Sequence, residues 1–95
     1  MTRRVLSLLS LALALGAPTA LRAQDARLDA RLDARTRDAV VAVVDSARGA
    51  GIPSEPLVQK ALEGASKHAD GARILTAVRM LARELGDARS ALGPT

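Results

Sequence analysis

The side chains that most often carry catalysis are scarce in this chain. It has one histidine, His68, and no cysteine. Nucleophilic catalysis needs a nucleophile beside a base, and a zinc site needs several histidine or cysteine ligands. The hydroxyls that could act as nucleophiles have no such neighbours in the sequence: Ser54, Ser66, Thr76 and Ser90. We therefore predict that the chain is not an enzyme, assign no catalytic, cofactor-binding or metal-binding residue, and expect no cofactor. His68 is predicted to be structural, continuing the apolar face near the end of a helix.

A short acidic repeat is the other group of side chains with possible chemistry. Residues 25–35 read DAR-LDAR-LDAR, so Asp25, Asp29 and Asp33 recur every four residues and share one face of a helix. Three carboxylates on one face could bind a cation, but no histidine or second carboxylate set lies nearby. Like charges at this spacing also weaken an isolated helix. We interpret residues 24–37 as a low-complexity, weakly helical segment without a metal.

The N-terminus has the pattern of an export signal. Arg3 and Arg4 are followed by an apolar run of about 13 residues, 5–17, which Pro18 ends. A membrane-spanning helix needs about 20 apolar residues, whereas a signal peptide needs a shorter core after a basic start. The sequence therefore predicts an exported protein, located in the periplasm or secreted.

Small residues after the apolar run supply the cleavage site. We predict a signal peptide over residues 1–23, cut after Ala23, with Gln24 as the new first residue. Ala20 is an alternative cleavage position. A second alternative is an uncleaved signal that anchors the protein in the inner membrane and leaves the helices in the periplasm.

Charge and composition argue against nucleic acid as a partner. The formal charge is +4, but removing the 3 arginines of the predicted signal from 14 basic side chains leaves 11 against 10 acidic ones. The remainder also has no aromatic residue on which a base could stack. We expect no nucleic-acid partner, and membrane contact only during export or through an uncleaved signal. A nucleic-acid-binding or regulatory helical protein remains the less favoured hypothesis.

The rest of the chain is predicted to be all-α, with three helices over about 26–48, 54–67 and 71–92. The first follows from apolar residues at helical spacing. Gly49, Gly51 and Pro53 then end it, and Ser54 and Asp70 are the predicted N-terminal caps of the next two helices. We expect the second and third helices to form a hairpin in a small domain over residues 38–95.

The third predicted helix has the most regular apolar face. With Ala88 included between Leu85 and Leu92, its apolar residues step by three or four, a spacing that suits one antiparallel neighbour or a coiled-coil-like contact. They form a candidate interaction seam: Ile74, Val78, Leu81, Leu85 and Leu92. Because so small a chain has a small core, we expect part of this seam, near Leu85 and Leu92, to be left for the first helix or for another molecule. The predicted function is a non-catalytic module for protein–protein interaction or self-association, with a homo-oligomer or an envelope protein as partner.

A resemblance to known sequences covers about residues 38–92. The chain reads GIPSEPLVQKALEGASK over residues 51–67 and RILTAVR over residues 73–79. This resembles a helical module of uncharacterised exported proteins from high-GC bacteria, in which Gly-x-Pro-x-Glu-Pro-Leu leads into Lys-Ala-Leu-Glu-Gly-Ala and then Arg-Ile-x-x-Ala-Val. The module occurs there in one or more copies, and this chain holds one. The resemblance implies no activity and no functional residue.

Overall fold

The computed structural model describes residues 19–93. Within that range the chain forms four α-helices and no strand: α1 (Thr19–Arg31), α2 (Ala34–Gly49), α3 (Glu55–Ser66) and α4 (Gly71–Leu92). The all-α prediction is confirmed, but the prediction of three helices is wrong. Most of the predicted signal peptide lies outside the described residues. None of the helices described is long and apolar enough to cross a membrane.

The extra helix arises because the predicted helix over 26–48 is broken after Arg31. Asp33 adopts an extended backbone and its carboxylate accepts a hydrogen bond from the Thr36 N–H at 3.2 Å. This caps the start of α2, and hydrogen bonding by Thr36 lowers the pKa of Asp33. An aspartate offers the backbone such a bond at a helix start, and in this position it interrupts the helical repeat.

The break lets α1 fold back antiparallel to α2. Asp29 of α1 pairs with Arg37 near the start of α2, and Gln24 of α1 bonds to Arg48 near its end. Leu28 of α1 is consequently 1% exposed. The acidic repeat is therefore part of the packed structure in the described chain.

The C-terminal ends of α2 and α3 are each followed by a residue with a left-handed backbone conformation. After α2, Gly51 has φ 77°, and the Ile52 N–H bonds to the Ala47 carbonyl at 2.8 Å. After α3, the residue in this conformation is His68, with φ 58°, and the Ala69 N–H bonds to the Gly64 carbonyl at 3.0 Å. These are Schellman-type ends. His68 is exposed in the turn, so the prediction that it extends an apolar helix face is wrong.

The two predicted caps behave differently. The Asp70 carboxylate accepts a hydrogen bond from the Arg73 N–H at 2.8 Å at the start of α4. Ser54 precedes α3, but its backbone is already helical and its hydroxyl makes no capping bond. The predicted capping by the Ser54 side chain is thus not what the structure contains, because Gln24 engages that hydroxyl instead.

The core takes apolar residues from every described helix, with α4 lying against both α2 and α3. Its buried members are Leu28, Val40, Val44, Ala47, Leu57, Val58, Ala61, Ile74 and Val78. Two glycines permit this packing. A Cβ on Gly64 would lie 2.8 Å from Cγ1 of Ile74, and one on Gly71 would overlap the Thr36 hydroxyl. The first half of α4 is therefore fixed tightly in the core.

Candidate functional site

A polar network joins α1, α2 and the start of α3 around Gln24. This glutamine is 8% exposed, and it is the one buried polar side chain among the residues described. Its Nε2 donates to Glu55 Oε2 at 2.8 Å and to Ser54 Oγ at 3.2 Å. Its Oε1 accepts from Nη2 of Arg48 at 2.8 Å. The sequence singled out Gln24 only as the residue after the predicted cleavage site.

The orientation of the Gln24 amide follows from its neighbours. The amide oxygen faces the Arg48 guanidinium and the amide nitrogen faces the Glu55 carboxylate. If the amide were turned around, its NH2 group would face the Arg48 guanidinium, donor against donor, and its oxygen would face the Glu55 carboxylate, acceptor against acceptor. A neutral amide thus links a cation of α2 to an anion of α3, and hydrogen bonds to charged groups are the stronger kind.

Arg27 closes the network from α1. Its Nη2 donates to both carboxylate oxygens of Glu55 at 2.8 Å. This pairing, with the bond from Gln24 as the next largest cause, lowers the pKa of Glu55. Both side chains are partly exposed, so the ion pair adds little stability by itself. The network positions α1 and contains no nucleophile held by a base.

The aspartates of the acidic repeat serve in the structure of the helices. Asp29 pairs with Arg37 and Asp33 caps α2. Across residues 19–93 no group of three or more histidine, cysteine, aspartate or glutamate side chains is arranged to hold a metal ion.

The predicted seam on α4 divides into an inner and an outer part. Ile74 and Val78 are buried in the core, and Leu81 and Leu85 are half-buried against it. Leu92 is 80% exposed. The seam therefore serves the fold at one end and projects from it at the other. The outer part projects because α4, with 22 residues, is longer than its neighbour α3, with 12 residues.

An open groove runs between α2 and α4. It has a volume of about 410 Å³ and small apolar residues line most of it, including Ala39, Ala42 and Ala82. Arg79 and Arg83 lie along its α4 side. A second depression of about 730 Å³ continues it toward the end of α4, sharing Ala50 and Ile52 with the first.

The charges of α4 differ from those of the other helices. Every ion pair within residues 19–93 uses side chains that precede α4. The charged residues of α4 are Arg73, Arg79, Arg83, Glu84, Asp87 and Arg89. Arg79 and Arg83 border the groove, and Glu84, Asp87 and Arg89 follow toward the exposed end, so that acidic residues exceed basic ones there by one. We name the groove and the distal half of α4, residues 79–92, the α4 surface.

Comparisons with known proteins add no functional information, so the proposals below start from the geometry described above. The resemblance to exported helical modules stays a prediction. No family model, no curated protein and no solved structure matches the chain.

Proposed function

We propose that this chain is an exported, non-catalytic helical module that associates with a second copy of itself through the α4 surface. One observation carries the proposal. The distal half of α4 projects an exposed leucine, Leu92, and bears charged side chains that make no ion pair within the described chain. Protein–protein interfaces combine an apolar centre with a polar rim, and this end of α4 supplies an apolar side chain with charges around it.

Charge complementarity favours a second copy as the occupant. The groove has an apolar floor of small residues, with Arg79 and Arg83 at its side. The end of α4 offers Leu92 together with Glu84, Asp87 and Arg89, a net charge of −1 against the two arginines of the groove. A two-fold arrangement places the acidic end of each copy against the basic groove of the other, so that the same contact forms twice. The small side chains let a helix approach closely.

A charge exchange tests this arrangement. Arg79→Glu with Arg83→Glu makes the groove negative, and Glu84→Arg with Asp87→Arg makes the end positive. Each double variant alone should remain monomeric, because like charges then meet at both contacts. An equal mixture should form a heterodimer, since opposite charges meet again. Sedimentation equilibrium of the two proteins, separate and mixed, gives the result. Self-association of either variant at the wild-type concentration would contradict the proposal.

The export part of the proposal rests on the N-terminal pattern and is supported by the burial of the described residues on either side of the predicted cut. Thr19, Arg22 and Ala23 are exposed and Leu21 is half-buried, whereas Gln24 is buried in the network. A cut after Ala23 would retain Gln24, Arg27 and every buried core residue described. Because α1 is continuous across that bond, cleavage must act on chains in which this segment is still open.

A reporter fusion tests export. A periplasm-dependent reporter after Thr95 should be active, and Leu9→Asp with Leu13→Asp should abolish its activity by interrupting the apolar core. The matched control places aspartates at the exposed positions Ala30 and Ala91 and should leave export unchanged. Export of the Leu9/Leu13 variant at the wild-type level would refute the signal assignment.

The continuity of α1 also favours a second candidate, an uncleaved membrane anchor. Within the described residues the helix runs from Thr19 through Ala23 without interruption. In this alternative the N-terminal segment holds the module at the inner membrane. The intact mass of the exported protein separates the two, since an anchor requires residues 1–23 to remain.

A further inference from the structure

Cleavage after Ala23 would make Gln24 chemically distinctive. An N-terminal glutamine has a free α-amine that can attack the Cδ of its own side chain. The new N–Cδ bond closes a five-membered lactam as the Cδ–Nε2 bond breaks. Nε2 leaves as ammonia, taking up a proton that the amine gives away. The product is pyroglutamate, and the reaction needs no oxidant, reductant or second substrate.

In the folded protein both ends of this amide are occupied. Nε2, the leaving nitrogen, donates to Glu55 at 2.8 Å and to Ser54 at 3.2 Å. Oε1 accepts from Arg48 at 2.8 Å. These partners belong to α2 and to the start of α3, whereas the attacking amine belongs to Gln24 itself. Ring closure requires Nε2 and Oε1 to leave these three partners and Cδ to meet the backbone nitrogen of Gln24.

We infer that Gln24 is a modification site gated by folding: it cyclises to pyroglutamate in chains whose Gln24 network is open and stays uncyclised in folded ones. The inference rests on the proposed cleavage after Ala23. It goes beyond the proposed function because it assigns a covalent modification, pyroglutamate formation, to the new N-terminal residue.

Cyclisation and the network exclude one another. The lactam lacks the Nε2 donor, so a chain that cyclises before it folds can no longer join Gln24 to Glu55 and Ser54. Arg27 and Gln59 still contact Glu55 in such a chain. The cyclised form should therefore fold with a less firmly held α1.

The rate difference depends on how rarely the network opens. Three side chains must be released, and two of the bonds are to charged groups. If cyclisation proceeds only from the locally open state, we expect it to be about a hundredfold slower in the folded protein than in urea, which corresponds to about 2.8 kcal/mol at 1.4 kcal/mol per tenfold.

Intact-mass spectrometry tests the inference on the full chain expressed for export and purified from the periplasm. The protein is incubated in buffer and in urea, and the loss of the mass of one ammonia is followed with time. Glu55→Ala removes the acceptor of the leaving nitrogen, and Arg48→Ala releases the oxygen. Both variants should cyclise faster than wild type. The matched control Gln59→Ala contacts Glu55 without touching Gln24 and should cyclise at the wild-type rate. Circular dichroism checks that each variant is folded.

The outcomes separate the inference from the proposed function. A protein that begins at Gln24 and loses ammonia as fast in buffer as in urea overturns the gating while leaving export intact. A rate in folded Glu55→Ala and Arg48→Ala that equals the Gln59→Ala rate overturns it as well. A protein that begins at any other residue overturns the proposed cleavage, and the inference with it.

Discussion

Because α4 approaches α2 closely at Gly71, replacing this glycine by alanine should destabilise the protein, whereas its helical position alone would predict stabilisation. Gly71 is the first residue of α4, and replacing a helical glycine by alanine normally stabilises a helix by up to about 1 kcal/mol. Here the added Cβ would overlap the Thr36 hydroxyl. Overpacking of this kind costs about 1–3 kcal/mol. We therefore expect Gly71→Ala to lower the free energy of unfolding by up to about 2 kcal/mol after a helical gain of about 1 kcal/mol is subtracted.

A matched control is available at the end of α2. Gly49 is helical, and a Cβ built on it meets nothing within 4 Å. Gly49→Ala should therefore raise the free energy of unfolding by about 0.5–1 kcal/mol. Urea titrations followed by far-ultraviolet circular dichroism measure both changes at one protein concentration, so that association does not alter the comparison.

The Gly71 effect should depend on one neighbouring side chain. Thr36→Ala removes the overlapping hydroxyl, so Gly71→Ala should cost much less in that background. A double-mutant cycle with no coupling between the two positions would show that α4 does not approach α2 as described. Gly71→Ala and Gly49→Ala with equal effects would refute the reasoning in the same way.

Three further changes follow from the helix ends and the Gln24 network. His68→Gly should stabilise the protein by about 1 kcal/mol in thermal melts, because glycine adopts the positive φ of this turn without strain, and His68→Val should destabilise it. Asp70→Ala should cost about 0.5–2 kcal/mol in the same melts through loss of a capping bond, and Ser54→Ala should lack this capping contribution. Glu55 has a lowered pKa in the folded state, so its contribution to the free energy of unfolding is present at neutral pH and is lost as the pH falls through and below the ordinary value of 4.5. The urea midpoint of Glu55→Gln should therefore depend less on pH in this range than that of the wild type. Equal pH dependence of variant and wild type would contradict the pairing with Arg27.

Most of the helical residues could be predicted from local patterns. Gly51 and Pro53 indicate the end of α2, and Asp70 indicates the start of α4, because these residues act on backbone within a few positions. The spacing of Ile74 and Val78 likewise predicts the face of α4 that enters the core. Such signals depend on neighbours in sequence.

The break at Asp33 could not be predicted because its sequence surroundings repeat. Asp25, Asp29 and Asp33 have nearly identical neighbours, so the local sequence does not say which of them ends one helix and starts the next; in the structure Asp33 does so, with Leu28 packed into the core. Gln24 was missed for a related reason. Its partners Arg48 and Glu55 are distant in sequence, and no local pattern links a glutamine to them.

The distal half of α4 is the proposed contact between two copies. Sedimentation equilibrium of the exported protein, from about 1 to about 100 µM, tests it most directly. For the wild type we predict a monomer–dimer equilibrium with a dissociation constant on the order of tens of micromolar. Leu92→Asp should be a monomer, and because the Leu92 side chain is exposed and outside the core, this substitution should not disturb the fold. Thr76→Asp, an exposed position on α4 before the α4 surface, should dimerise as the wild type does. A wild-type protein that stays monomeric across this range, or a Leu92→Asp variant that dimerises equally well, would contradict the claim.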